Sequence, residues 1–359
     1  MHTQHETRPA NRDAYLAVVG TYSSADTEGV YTVSVDADTG EMRVLDGTVV
    51  GRNPTFIVPH PTGEHLYVAV REEDRGVLKA FDVDQETGEL DEHDRVQSGP
   101  LGPCYCSVDA NGEYLFVAHY FGSAVSMLPI DKDGGLGEPT ALVEHQGSSV
   151  HPDRQTEPHP HSVVLGPDDR FVYVPDLGTD QIHVYEIDGA NDALSPHAVI
   201  DTPAGAGPRH FAFGPGGERG YLITELDSTV IQYTRRDDGT LDQQSSVSTL
   251  PDDFEEENVT AEVAVHPSGE FVYGSNRGHD SIVTFTVADG ALARVDHTPT
   301  GGEWPRHFAV GPGGRFVFAE NRESDTITAL RIDEDTGLLS PTGEELSVPE
   351  PVCMQWLPR

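Results

Sequence analysis

This 359-residue chain predicts an all-β fold, a seven-bladed β-propeller, on three observations. A strand-pair phrase recurs seven times, helix signals are scarce, and the repeats are out of phase with the ends of the chain. The first half of the phrase reads Pro-x-x-apolar-x-apolar, at Pro54, Pro103, Pro160, Pro208, Pro305 and Pro351, with Thr260 replacing proline once. The second half is an aromatic- and valine-rich run at residues 15–22, 66–71, 114–120, 171–177, 221–226, 271–277 and 316–322. Repeats of roughly 45–57 residues built only of strand signals indicate a propeller.

The chain begins with a second half and ends with a first half. A closed ring needs that offset, so the run from Pro351 to Leu357 is expected to complete the N-terminal blade. Further strands follow within each repeat: Ile182 to Ile187 and Ile282 to Val287 both alternate with period two. Turn signals close the repeats at Asp38-Thr-Gly40, Glu86-Thr-Gly88, Asp237-Asp-Gly239 and Asp335-Thr-Gly337, where glycine supplies positive φ. Blades share one ring and none is stable alone. One domain over 14–359 is therefore expected, preceded by a flexible tail at 1–13.

A net charge of −39 arises from 61 acidic and 22 basic residues, and only Lys79 and Lys132 are lysines. The acidic positions are scattered through turns, which argues against a disordered acidic tail. Such a chain repels nucleic acid and anionic membrane, so neither is expected as a partner. It reads as a halophile's cytoplasmic protein that needs molar salt, where the Debye length falls to about 3 Å. Cys104, Cys106 and Cys353 form no disulfide framework and are expected to be core thiols. The N-terminus lacks a secretory apolar stretch, and no run approaches the ~18 apolar residues of a membrane span. A closed propeller leaves few free edges, so a monomer is expected.

The repeat register predicts which residues meet at one mouth of the channel. Aligned first strands place Thr55, Cys104, His161, Arg209, Ala261, Arg306 and Val352 at one position. Aligned second strands place Arg71, Leu177, Glu225, Arg277 and Arg322 at another, with Asp176, Glu262, Asn276 and Asn321 beside them. Charges within strands are costly unless paired or used. Polar variation on an apolar repeat is thus the functional signal. His161 closes Glu157-Pro-His-Pro-His161 after a polar insertion from Glu144 to Thr156, which could form a lid. Histidine is the natural general base near neutral pH, although His159 and His161 could equally cap a strand. A metal set of His151, His159 and His161 is the weaker reading, because no characteristic spacing fixes it. Arginine forks grip carboxylate or phosphate, and inter-blade salt bridges to Glu225, Glu262 or Asp176 are the alternative use.

The chain resembles the propeller lactonase family, which includes bacterial propeller-type 6-phosphogluconolactonases and fungal carboxymuconate-lactonizing enzymes. The resemblance rests on Glu157-Pro-His-Pro-His-Ser162, Val174-Pro-Asp-Leu-Gly178, Gly207-Pro-Arg-His210, Glu225-Leu-Asp-Ser228, Ser275-Asn-Arg-Gly-His279 and Trp304-Pro-Arg306. It implies a seven-bladed propeller with an active site of histidine, two arginines and a glutamate: His161, Arg209, Glu225 and Arg277. The phrase from Tyr114 to Phe121, and His307 after Arg306, depart from the family's pattern.

The expected activity is hydrolysis of a sugar δ-lactone, 6-phosphogluconolactone above others, with no metal or organic cofactor. Arg209 or Arg277 would stabilise the oxyanion while the other holds phosphate. His161 would deprotonate water, and Glu225 would orient it or protonate the leaving ring oxygen. Arg306, His159, Asp176, Asn276, Glu262 and Arg322 are the expected substrate-binding residues. Three alternatives stay open: a muconate cycloisomerase using the same groups, a divalent metal on Glu225, Asp176 and Asn276, and a non-catalytic binding propeller.

Overall fold

The computed structural model describes residues 14–72 and 75–358; the expected tail at 1–13 lies outside them. Seven four-stranded antiparallel sheets make up the fold, and the only helix among the described residues is a single 3₁₀ turn at Arg322–Ser324. The strand Pro351–Trp356 pairs with Ala14–Thr21, so the first blade is assembled from both ends of the chain. Innermost strands of neighbouring blades lie side by side except between blades 4 and 5, where Phe171–Asp176 meets Pro208–Phe213 instead, and Pro351–Trp356 touches both the Pro54–Pro59 and the Pro305–Val310 strands. The ring is closed.

Apolar clusters sit between blades. Phe171 and Tyr173 of blade 4 pack with Phe211, Leu222 and Ile231 of blade 5, and Phe271 and Tyr273 of blade 6 with Phe308, Val317 and Leu330 of blade 7. Each large side chain so buried contributes about 1.5–3 kcal/mol. A polar link repeats beside them: Tyr67, Tyr173 and Tyr273 donate their hydroxyls to the carbonyls of Gly134, Gly239 and Gly337 in the following blade. The turn glycines have positive φ, at 79°, 82°, 84° and 72° for Gly40, Gly88, Gly239 and Gly337. At Gly337 a Cβ would come within 2.3 Å of the Phe271 ring. Glycine there permits both the turn and the inter-blade contact.

One irregularity recurs in every blade. Between Pro208↔Thr224 and His210↔Ile223 the inner strand carries one extra residue, Arg209. Thr55, Cys104, Arg306 and Val352 are extra in the same sense in their blades. Ala261 and Glu262 together face Ser275 alone. In blade 4 the pairs Pro160↔Asp176 and Val164↔Tyr173 leave three residues, His161 to Val163, facing two. Such bulges bend a strand and re-aim a side chain. The aligned first-strand position is the bulge of each blade.

Candidate active site

Glu225, at the end of the second strand of blade 5, is the centre of the polar cluster. Its Oε2 lies 3.0 Å from Arg209 Nε and 3.0 Å from Arg277 Nη2, and its Oε1 lies 2.5 Å from Arg154 Nη2. His161 Nε2 is 3.9 Å from the same Oε2. Burial pushes the Glu225 carboxyl up, but Arg277, Arg209, His161 and Arg154 outweigh it and hold it well below the usual range. Glu225 is therefore an ionised acceptor at neutral pH. Burial, then the Arg209 charge, push His161 well below its ordinary value despite Glu225. His161 is neutral, and its buried Nδ1 has no hydrogen-bond partner among the described residues.

The arginines are held from behind. Arg209, 2% exposed, donates from Nη1 to Ala261 O at 2.5 Å and to His210 Nε2 at 3.1 Å. No partner of its Nη2 occurs among the described residues. Arg277 donates from Nη2 to Thr260 O and lies over the Trp304 ring, 5.5 Å from its centroid. Burial pushes Arg277 down to about 9, with Glu225 opposing, so it stays charged at neutral pH. Trp304 itself has φ 61°, a conformation costly for a bulky residue and typical of functional sites. Arg306 and Arg322 flank the Tyr22 ring at 5.4 and 5.3 Å. Arg154, Arg209, Arg277 and Arg306 all lie within electrostatic reach of Glu225. Four guanidiniums face one central carboxylate in a protein of net charge −39, which makes the mouth a site for an anion.

The insertion folds onto this cluster. Gln155 Nε2 donates to Leu177 O at 2.8 Å, and Arg154 reaches both Glu225 and the Tyr120 hydroxyl, the latter at 3.3 Å. The chain at Glu157 runs so close to Gly178 that a Cβ there would lie 1.9 Å from Glu157 O. His159 stacks on Tyr120, with centroids 4.3 Å apart, and its Nδ1 meets Tyr120 O at 2.9 Å.

His161, Arg209, Glu225 and Arg277 thus come together, with Arg306 near them and His159 bordering through Tyr120. Glu262 is buried one layer behind Arg209, where it meets His210 Nδ1 at 2.8 Å. Two expected substrate contacts are occupied elsewhere. Asp176 Oδ2 meets His145 Nδ1 at 2.6 Å, and its Oδ1 accepts the backbone N–H groups of His159, Gly178 and Thr179. Asn276 is consumed by Thr249, Ser281 and Asn258. Neighbours along a strand point to opposite faces, so standing beside Leu177 and Arg277 turns Asp176 and Asn276 away. Arg322 begins the 3₁₀ turn and pairs with Glu323 and Glu350. That places it at the rim.

A metal on Glu225, Asp176 and Asn276 does not fit these partners. Among the described residues, two groups of three present ligand atoms at ion-binding distance: His65, Asp82 and His93, and His145, Asp176 and His183. Neither contains a member of the Glu225 cluster, nor do His151, His159 and His161 form a third. Arg154, Tyr120, Tyr22 and Trp304 escaped the register analysis. Arg154 had one available signal: it is the sole arginine of the expected lid.

An ionised glutamate, a neutral histidine and a fan of arginines thus gather where the bulges of blades 4 to 7 meet in a seven-bladed propeller. Residues 16–356 match the family described as Lactonase, 7-bladed beta-propeller, and the chain belongs to that family. It is 33% identical over 349 residues to a 6-phosphogluconolactonase of Bacillus subtilis, covering 96% of this chain and 98% of that one. A 6-phosphogluconolactonase of Formosa agariphila is 30% identical over 331 residues, covering 89% and 93%. The solved periplasmic gluconolactonase of Pseudomonas aeruginosa superposes with a TM-score of 0.90 at 31% identity, covering 96% of this chain and 99% of that chain.

Proposed function

We propose that this protein hydrolyses a sugar δ-lactone, 6-phosphogluconolactone above others, to the open acid at the channel mouth. The observation that carries the reading is buried Glu225 held ionised by three arginines, with neutral His161 3.9 Å away. In the reaction, neutral His161 takes a proton from water as the water oxygen bonds to the lactone carbonyl carbon. The carbonyl oxygen gains the negative charge, and guanidinium N–H groups of Arg209 and Arg277 receive it. The tetrahedral centre then expels the ring oxygen, which takes the proton back from His161. General acid–base help of this kind is worth ~10²–10⁴-fold. Glu225, held ionised, steadies both arginines and the histidinium that forms between the two steps. Its charge state removes it as the proton donor to the ring oxygen. Arg306 and Arg154 are left to receive the phosphate.

Three buried free thiols suit a reducing, cytoplasmic compartment, the excess of acid suits a salt requirement, and a closed ring with few free edges suits a monomer. No helix among the described residues is long and apolar enough to cross a membrane. The test is the initial opening rate of 6-phosphogluconolactone in molar KCl, with and without EDTA, against the spontaneous rate and against gluconolactone. Acceleration of the phosphorylated lactone, unchanged by EDTA, is expected. A folded protein that speeds neither lactone would sink the reading; loss of rate in EDTA would move the chemistry to a metal.

A further inference from the structure

Directly behind the mouth lies a second layer of channel residues, each one position after its blade's bulge: Phe56, Tyr105, Ser162, His210, Glu262, His307 and Cys353. Blades 1 to 3 fill this layer with sulfur and aromatic rings. Blades 5 to 7 fill it with histidine, glutamate and histidine, and these are joined. His210 Nδ1 meets Glu262 Oε2 at 2.8 Å, the same oxygen meets His307 Nε2 at 3.2 Å, and His307 Nδ1 meets Glu320 Oε2 at 2.8 Å. All four side chains are buried, and Glu320 is fully so. Phe56 stands edge-on to both imidazoles, and Tyr105 to that of His210.

The near end of this column settles its direction. Arg209 Nη1 can only donate, so His210 Nε2, 3.1 Å away, is the acceptor and the His210 proton sits on Nδ1, facing Glu262. Both nitrogens of His307 lie close to carboxylate oxygens, and Met354 N–H also points at Nδ1 from 3.4 Å, so the link to Glu320 is one of charge and proximity, with neither Glu320 oxygen hydrogen-bonded among the described residues. A buried ionic column costs more than apolar packing of similar volume, and the same layer shows that apolar packing fits this ring. Folding alone gives no reason to keep the column. What it does is occupy one end of the Arg209 guanidinium, while Glu225 occupies Nε and Ala261 O takes the other Nη1 proton.

We propose that the column from His210 through Glu262 and His307 to Glu320 positions Arg209, fixing its guanidinium so that the Nη2 edge alone is presented to the substrate. His210 and Glu262 are positioning residues; they touch no reacting atom. A guanidinium held in this way needs no reorganisation when charge develops on the carbonyl oxygen. The inference rests on the lactonase reading, and its test separates the two.

The test compares two amides at position 210. In His210→Gln the amide falls near the Nε2 site and can still accept from Arg209, but it loses Glu262. In His210→Asn the amide falls near the Nδ1 site and keeps Glu262, but it loses Arg209. Both should lower the melting temperature to a similar degree. With the phosphorylated lactone, His210→Asn should lower kcat about 30–100-fold with KM within about threefold, in line with loss of a preorganised donor. His210→Gln should stay within about fivefold of the wild type. Equal losses in both variants, or activity that simply tracks melting temperature, would overturn the proposal. Side-chain nitrogen NMR reads the same point without turnover: the Arg209 Nη signals should be resolved in the wild type and His210→Gln, and averaged by rotation in His210→Asn. Averaged signals in the wild type would refute positioning by themselves. A wild type that opens no lactone yet shows resolved Arg209 signals would sink the lactonase reading and leave the positioning intact.

Discussion

On the blade 1 to 3 side of the channel the bulge residues are Val352, Thr55 and Cys104; on the blade 4 to 7 side they are His161, Arg209, Ala261 and Arg306. The backbone device is the same, but its product differs. Thr55 Oγ1 donates to Pro103 O at 2.6 Å, and Cys104 Sγ lies 3.4 Å from His161 O, so each stitches its strand to the next. Across the channel the longer side chains stitch as well, Arg209 to Ala261 O, yet have functional groups left over. A bulge needed for ring closure can thus host chemistry once its side chain is long and charged. Cys104 shows the limit of position alone. It sits among Arg209, Arg306 and Arg71, yet burial outweighs them and pushes its thiol up to about 12, too high for a nucleophile.

The harshest way to break this asymmetry is Glu225→Ala. Three arginines would lose their common anion in a buried site, which costs about 3–5 kcal/mol by analogy with broken buried pairs. Chemical denaturation should show that loss, and lactone turnover should fall at least ~10³-fold as both oxyanion donors come adrift. A variant that keeps wild-type stability would mean that the arginines find water or other carboxylates, and that the cluster is not closed.

A gentler probe is His161→Gln. It should cost ~10²–10⁴-fold in turnover while leaving the fold intact. The pH dependence follows from sign. The folded value of His161 lies below its unfolded value of 6.5, so below pH 6.5 the unfolded chain takes a proton that the folded chain refuses. Stability therefore falls as pH falls through that window. The His161→Gln protein, lacking this group, should lose less stability than the wild type between pH 7.5 and 5. Wild-type kcat/KM should show no inflection near 6.5 on the acid side, because the base is still neutral there. An inflection at that value would mean a solvated imidazole.

How much of this was legible in the residues themselves can be judged position by position. Proline and its successor marked the bulge in six blades, with Thr260 in place of proline in the remaining one; His161, Arg209 and Arg306 were aligned at one position on that account. The bulge itself leaves no mark on the alternation of so short a strand. Asp176 and Asn276 were misplaced because adjacency in sequence is opposition across a strand. His210 and His307 lay in plain view in two Pro-Arg-His-Phe-Ala phrases, but their partners Glu262 and Glu320 come from other strands. No periodicity could reveal Arg154. Its contact with Glu225 depends on the path of an irregular insertion.

The smallest effect is expected on the other side of the ring. Thr55→Val keeps the shape of the side chain and removes the hydroxyl that reaches Pro103 O at 2.6 Å and Ala69 O at 3.2 Å. Losing that buried stitch should cost about 1–2 kcal/mol, read as a shift in denaturation midpoint, with lactone turnover unchanged. The position is equivalent to Arg209 in the repeat, so unchanged turnover would remove the blade 2 bulge from the chemistry. A drop in kcat larger than the stability loss explains would show that blade 2 holds the substrate too. Its Arg52 and Arg71, lining a cleft of about 380 Å³ with Phe121, would then be the groups to change next.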